Sequence, residues 1–137
     1  MQEFMIMQES IYGNAEVYDN AVVGGNAEIR GIAVVYRNAK VCDDSLLRDN
    51  AKVCGNAEVF GHAAICGDTL ITSNSDYIVF KNWWSSGRYF TWTRSNNMWK
   101  VGCFYGTGEQ LIEKAYKDSE KSGREYEKIV RYTETVN

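Results

Sequence analysis

The sequence predicts a mostly β protein in two parts: a parallel β-helix over residues 1–75, then a cap over residues 76–137 made of an antiparallel meander and two helices. Three observations carry this. Aliphatic residues recur every six positions without a gap from Glu9 to Asn74, turn signals cut the aromatic-rich stretch that follows into three short runs, and two capping boxes open amphipathic segments near the end.

The first part consists of eleven consecutive six-residue units. Their third place holds Ile11, Val17, Val23, Ile29, Val35, Val41, Leu47, Val53, Val59, Ile65 and Ile71, and the first place holds Ala in eight units, from Ala15 to Ala63. Two inward side chains separated by one outward residue is strand alternation, and a large branched residue beside a small one suits the edge and corner of a narrow prism. The closing Gly-Asn, Asp-Asn and related pairs tolerate the positive φ that a sharp corner needs. Pro, which would remove a ladder hydrogen bond, is absent.

With an aliphatic and a small residue four apart, as in Val17 to Ala21, Val23 to Ala27 and Val53 to Ala57, residues 9–74 resemble the hexapeptide-repeat, left-handed β-helix family. The resemblance implies a left-handed parallel β-helix with coils of 18 residues on three faces, a little under four coils in all. Residues 18 apart would then stack, aligning Asn20, Asn38, Asn56 and Asn74 in a ladder of amides along one corner. Many members are acyltransferases that use a His general base, bind coenzyme A or an acyl carrier between subunits, and assemble as trimers. His62 is the single His here, and the assumed coil stacks it on Asn26 and Asp44 as a corner residue. Metal-dependent members need three His ligands, so no metal is expected, and neither a cofactor nor a catalytic set is assigned.

Cys42, Cys54 and Cys66 are 12 apart, each just after a buried aliphatic place and so outward; in the 18-residue coil that the resemblance implies, they would lie on three different faces, too far apart for a shared zinc or a bridge. Cys103 lies outside the repeat and is read as a small core residue.

Beyond Asn74, Tyr77 to Asn82, Arg88 to Arg94 and Met98 to Tyr105 read as three strands, with turns at Ser85-Ser86-Gly87 and Ser95-Asn96-Asn97. A two-residue turn at Asn96-Asn97 would set Trp92 opposite Val101; a slipped register would set Trp92 opposite Trp99, and both remain open. Thr107-Gly-Glu-Gln110 is a capping box opening a helix over 110–121, with Leu111, Ile112, Ala115 and Tyr116 on its apolar stripe. Ser122-Gly-Arg-Glu125 is read as a second box, followed by Tyr126, Ile129, Val130 and Tyr132 or Thr133. This cap is expected to fold against the last coil, whose open edge invites aggregation.

Charge divides between the parts. Through Ser75 there are ten acids and five bases; from Asp76 on, eight acids and ten bases. In the meander, Arg88, Arg94 and Lys100 lie among Trp92, Trp99 and Tyr105, and Thr107 opens the following helix beside two glycines. That interleaving suits an anionic ligand, such as a nucleotide, through stacking and phosphate neutralisation. A small sheet with aromatics in its core and cations outside would read the same way. On the β-helix, Tyr18, Val34, Tyr36 and Leu70 form an outward apolar strip, expected to be covered by the C-terminal helices or by another subunit.

The segment before Glu9 lacks a basic start and a long apolar run, and no run approaches ~20 apolar residues, so a cytoplasmic protein without a membrane span is expected. The reading is a non-enzymatic binding protein, a homo-oligomer (trimer or dimer) whose cap captures a partner protein or an anionic small molecule; long duplex nucleic acid is not an expected partner. The Gly-Asn-Ala-x-Val style of repeat with a short aromatic tail also resembles small uncharacterised proteins of bacterial and prophage genomes. That resemblance implies a phage-encoded inhibitor of host defence, acting on an effector or sequestering a signalling nucleotide. The alternative is an acyltransferase of the hexapeptide-repeat family.

Overall fold

The computed structural model describes residues 11–137. Ten two-residue strands start at six-residue intervals: β1 Glu16–Val17, β2 Val22–Val23, β3 Glu28–Ile29, β4 Val34–Val35, β5 Lys40–Val41, β6 Leu46–Leu47, β7 Lys52–Val53, β8 Glu58–Val59, β9 Ala64–Ile65 and β10 Leu70–Ile71. Each of β1 to β7 pairs in parallel with the strand three later, so that Glu16, Val34, Lys52 and Leu70 lie in register, 18 residues apart. The sheets run β1-β4-β7-β10, β2-β5-β8 and β3-β6-β9. This is a parallel β-solenoid of about three turns. The first expected unit starts at Glu9, which lies outside the described residues.

The interior is the two inward columns. Ala21, Val23, Ile29, Val35, Val41, Leu47, Val53, Val59 and Ile65 are fully or almost fully buried, and each aliphatic side chain stacks on its counterpart one turn away, as Leu47 does between Ile29 and Ile65. Ser45 and Thr69 occupy two of the small first places and are buried as well.

The corners refine the sequence reading. Positive φ falls on the fifth place of every unit but the last, at Gly13, Asp19, Gly25, Gly31, Arg37, Asp43, Asp49, Gly55, Gly61 and Gly67, and not on the Asn that follows; Ser73 in the last unit is extended. Gly25 shows the constraint: besides its φ of +62°, an added Cβ would stand 2.9 Å from the Asp43 backbone nitrogen one turn away. Where aspartate replaces glycine, its carboxylate accepts the N–H of the corner residue 18 ahead: Asp19 from Arg37 (3.2 Å), Asp43 from Gly61 (2.9 Å) and Asp49 from Gly67 (3.0 Å). That bond offsets the strain of a left-handed non-glycine residue. The amide ladder forms from Asn20 to Asn38 (3.3 Å) and from Asn38 to Asn56 (3.5 Å). Asn74 leaves the ladder, its Oδ1 accepting the Glu58 N–H at 2.8 Å.

A short 3₁₀ turn at Asn74–Asp76 leads into an antiparallel sheet of four strands, not three: β11 Tyr77–Lys81, β12 Tyr89–Thr93, β13 Met98–Val101 and β14 Phe104–Gly106, ordered as in the chain. The expected strand 98–105 is broken because Gly102 takes a φ of +55° and turns the chain back on itself. Cys103 therefore sits exposed at a hairpin tip and is not a core residue. The slipped register is the one formed, with Trp92 opposite Trp99, because residues 94–97 make a four-residue turn closed by the Asn97 N–H on the Arg94 carbonyl.

Helix α1 spans Gly108–Asp118, with Thr107 as N-cap and Gln110 completing the capping box. Helix α2 spans Glu120–Val136 and starts three residues earlier than the sequence suggests. Ser119, not Ser122, is its cap, its hydroxyl accepting the Ser122 N–H. Gly123 lies inside α2 against the Tyr116 ring, which leaves no room for a Cβ, and Tyr116 itself is largely exposed. Leu111, Ile112, Ala115, Tyr126, Val130 and Thr133 form the buried faces, while Tyr132 points outward.

The four-stranded sheet is sandwiched. One face meets the end of the solenoid, where Tyr77 and Val79 join its core; the other buries Phe90, Trp92 and Trp99 against the helices. At the last turn of the parallel ladder, cap side chains accept the N–H groups that have no further strand. Thr91 Oγ1 takes that of Ala64 (2.9 Å), Ser95 Oγ that of Leu70 (2.8 Å), and the Asp76 carboxylate those of Thr72 and Ser73.

Replacing Leu47 by Ala should cost about 2–5 kcal/mol in denaturant unfolding, since the rigid prism cannot collapse around the void. Asn38→Ala, which removes one exposed rung, should cost about 1 kcal/mol or less. Thiol labelling of the native protein at pH 8 should modify Cys103 at once. Burial pushes the Cys66 thiol above the usual range, so it stays protonated there and should react only as the fold opens, as should the buried Cys54.

Candidate functional site

A groove of about 470 Å³ lies where the solenoid meets the cap. Its floor is the turn after β8, Phe60-Gly61-His62, and its wall is the whole of β11, from Tyr77 to Lys81, with Tyr89 from β12. The Gly61 N–H bond to Asp43 holds the turn in place. Phe60 occupies the outward fourth place of its unit, and with nothing stacked over it half of its surface is exposed (49%).

His62 closes one corner column and meets the cap. Its Nδ1 is 3.8 Å from Asp44 Oδ2, while Asp44 Oδ1 accepts a hydrogen bond from Asn26 at 3.1 Å, which is the expected stack of Asn26, Asp44 and His62. The imidazole lies flat on the Tyr89 ring, centroids 4.2 Å apart and planes within 10°. Lys81, at the end of β11, carries its ammonium 5.9 Å from the same ring. The Tyr77 hydroxyl donates to the Glu58 carbonyl at 2.8 Å, and burial pushes that phenol above the usual tyrosine range. Among the described residues the groove is thus lined by aromatic and aliphatic surface, Asn74, one lysine, one histidine and no carboxylate.

The residues picked from the sequence as ligand contacts do not form one site: Arg94 packs with Trp92 and, through it, Trp99, while Lys100 pairs with Tyr105 across β13 and β14. Trp92 and Trp99 are core, fully or almost fully buried on the helix side of the sheet. Arg94 is spent on structure, its Nε donating to the Ser75 carbonyl (3.0 Å) and its Nη1 to that of Val136 (2.6 Å), with its guanidinium over Trp92. Lys100 stands opposite Thr91 on β13, the Tyr105 hydroxyl accepts from Asn96 (3.1 Å), and Thr107 serves α1 as its cap. Arg88 is exposed in the β11–β12 loop. Strand alternation sends neighbours to opposite faces, so a run of mixed aromatics and cations does not make one surface. Phe60, His62, Lys81 and Tyr89 are the residues that converge; the sequence signal for them is a large apolar residue and a His at outward places of the last full turn.

On the solenoid, the Tyr18 and Tyr36 rings stack at 5.3 Å with planes within 8°. The Cys54 thiol beside Tyr36 pushes its hydroxyl up, and Leu70 is largely exposed. The helices pack on the far side of the meander and do not cover this strip. Cys42, Cys54 and Cys66 follow strands of three different sheets and all are free, although Cys54 and Cys66 are buried under neighbouring side chains. Among the described residues no group of three or more His, Cys, Asp or Glu side chains could hold a metal.

Replacing Tyr89 by Ala should remove the stacked partner of His62 and lower stability by about 1 kcal/mol, read from denaturant unfolding, with the far-ultraviolet spectrum unchanged. No family model, no curated protein and no solved structure matches this chain.

Proposed function

We propose that this protein is a non-enzymatic binding protein: a left-handed β-helix stem that sets the geometry of a homo-oligomer, with a cap that captures a partner through the junction groove. The observation that carries this reading is the groove itself, with exposed Phe60 and Tyr89, Lys81 at one end and no carboxylate among the described residues of its lining. A concave apolar site with a single cation suits a partner that offers an apolar or aromatic group and an anion, either a protein segment or a small molecule such as a nucleotide. A phage-encoded inhibitor of host defence, working in the cytoplasm by capturing an effector or a signalling nucleotide, is the biological form of this proposal. Among the described residues no helix is long and apolar enough to cross a membrane.

One observation favours the acyltransferase alternative. His62 stands at the groove with Asp44 facing its Nδ1, the relation a carboxylate has to a histidine general base. Tyr89 covers one ring face, which supports the binding reading over it.

Thermal unfolding with a panel of linear and cyclic nucleotides, and with coenzyme A, tests the two. A ligand held only by the folded state raises the melting temperature by mass action. A nucleotide shift that Lys81→Glu and Tyr89→Ala each abolish supports capture in the groove, whereas a shift with coenzyme A alone supports acyl transfer. A nucleotide shift untouched by either substitution but lost in Arg88→Ala would move the site to the β11–β12 loop and overturn the groove.

For the oligomer, the Tyr18/Val34/Tyr36/Leu70 strip is the proposed subunit interface. Tyr18→Asp with Tyr36→Asp should convert the protein to a monomer in sedimentation velocity; an unchanged sedimentation coefficient would remove the strip from consideration.

A further inference from the structure

The groove's wall is a strand edge. Among the described residues β11 is the outermost strand of its sheet, paired only with β12. In an antiparallel pair, successive residues turn their backbone groups alternately toward the partner and away from it. The bonds flanking β11 set the phase. The Asn82 N–H reaches the Arg88 carbonyl and the Arg94 N–H reaches the Asp76 carbonyl, so the even-numbered residues bond to β12. Tyr77, Val79 and Lys81 therefore direct their N–H and C=O groups outward, into the groove. Their side chains face the solenoid, while Ile78 and Phe80 face the helices and remain partly exposed.

We propose that this edge takes up an extended peptide segment of a partner protein as a fifth strand of the cap sheet, with an acidic residue of that segment near Lys81. The proposal rests on the reading of the groove as the binding site and names its occupant. Five residues of β11 span about 17 Å, which calls for a segment of about five to seven residues. Main-chain bonds to Tyr77, Val79 and Lys81 hold it, and its alternate side chains fall toward Phe60 on the solenoid side and toward the helices on the other. Charge orients it. Lys81 closes the groove at one end, and just beyond it Trp83 is 65% exposed with the Lys121 ammonium 5.5 Å above its ring. At the other end the Asp76 carboxylate is already spent on Thr72 and Ser73.

A second copy is disfavoured as the occupant. A two-fold axis that joins β11 to its own copy in antiparallel fashion keeps like faces on the same side of the joined sheet. Centred on Val79, it would set Lys81 opposite Tyr77 of the copy and offer the ammonium no carboxylate.

The probe is a linear heptapeptide selected from a random phage-displayed library on the immobilised full chain, then synthesised both plain and with N-methyl groups at alternate residues. Binding is followed by fluorescence anisotropy and site by site through amide hydrogen exchange. The expected result is at least tenfold slower exchange at Tyr77, Val79 and Lys81, with little change at Ile78 and Phe80. N-methylation in the phase that faces β11 should weaken binding at least tenfold, and Lys81→Glu should select against acidic peptides. Val79→Pro breaks no bond to β12, and Val79→Ala controls for the contact that Val79 makes with the solenoid core; both should stay folded, and only Val79→Pro should lose the peptide.

If the resonances of Phe60, His62 and Tyr89 shift on binding while the three β11 amides stay unprotected, the groove remains a site but strand addition is wrong. Should the library yield no binder while a nucleotide still stabilises the wild type through Lys81, strand addition is likewise overturned and the groove reading stands. Protection of the same amides without peptide, lost as a dimer dissociates on dilution, would assign the edge to a second copy and overturn the proposal. Failure of both peptide and small-molecule binding to involve these residues would remove the groove as well.

Discussion

A parallel ladder ends with backbone donors and acceptors that have no further strand, and the arrangement of this molecule follows from that unfinished edge. Each turn of the solenoid satisfies the turn before it, as the N–H of Lys52 does on Thr69 and that of Cys54 on Ile71. At β8, β9 and β10 the supply of strands stops. The chain answers with side chains: Asn74 for Glu58, Thr91 for Ala64, Ser95 for Leu70 and Asp76 for Thr72. Each such bond is worth about 1 kcal/mol net; the bonds to Glu58, Leu70 and Thr72 lie at exposed positions and that to Ala64 is half-buried, so the cap closes the ladder by several small increments.

Because a four-stranded sheet provides these acceptors, closing one edge creates another. Thr91 must lie over β9, which sets β12 across the end of the solenoid and leaves β11 at the margin beside the turn after β8. The groove is the space between the old edge and the new one. It is polar in backbone and apolar in side chain because Tyr77 and Val79 are needed to finish the solenoid core while Ile78 and Phe80 are needed to finish the helical one.

The solenoid was legible from the sequence because its information is local and repeated. One wrong unit would have been outvoted by ten others. The aliphatic column follows from the six-residue period, and the three-residue run of the Asn ladder, the stack under His62 and the separation of the three repeat cysteines follow from the 18-residue coil that the family resemblance implies. The cap was legible only in kind. Its strands, both helices and the Thr107 box were visible, but three details turned on single residues competing with a pattern. Gly102 breaks what hydrophobicity alone reads as one strand, Ser119 caps a helix that Ser122 also advertises, and the 94–97 turn selects the register. The register goes with the pairing of Trp92 with Trp99, the helix start with Gly123 under Tyr116, and the strand break with the positive φ of Gly102.

The candidate ligand residues failed to converge for a related reason. Aromatic residues next to cations in sequence make a shared surface only if they have the same parity along a strand, and parity on β12 and β13 was the open question. Once Trp92 and Trp99 pair, both rings face α1 and α2, Arg94 folds back over Trp92 to tie the turn to the end of α2, and Lys100 falls on the opposite face. Lys81 and Tyr89, by contrast, are a directly opposed pair on β11 and β12, of the same parity as Tyr77 and Val79, and so must face the solenoid wherever those residues do. That single parity choice brings Tyr89 onto His62 and sets Lys81 at the mouth of the groove. The burial that completes the solenoid core and the chemistry exposed at the junction are therefore two results of the same strand register, and a shift of one residue along β11 would lose both.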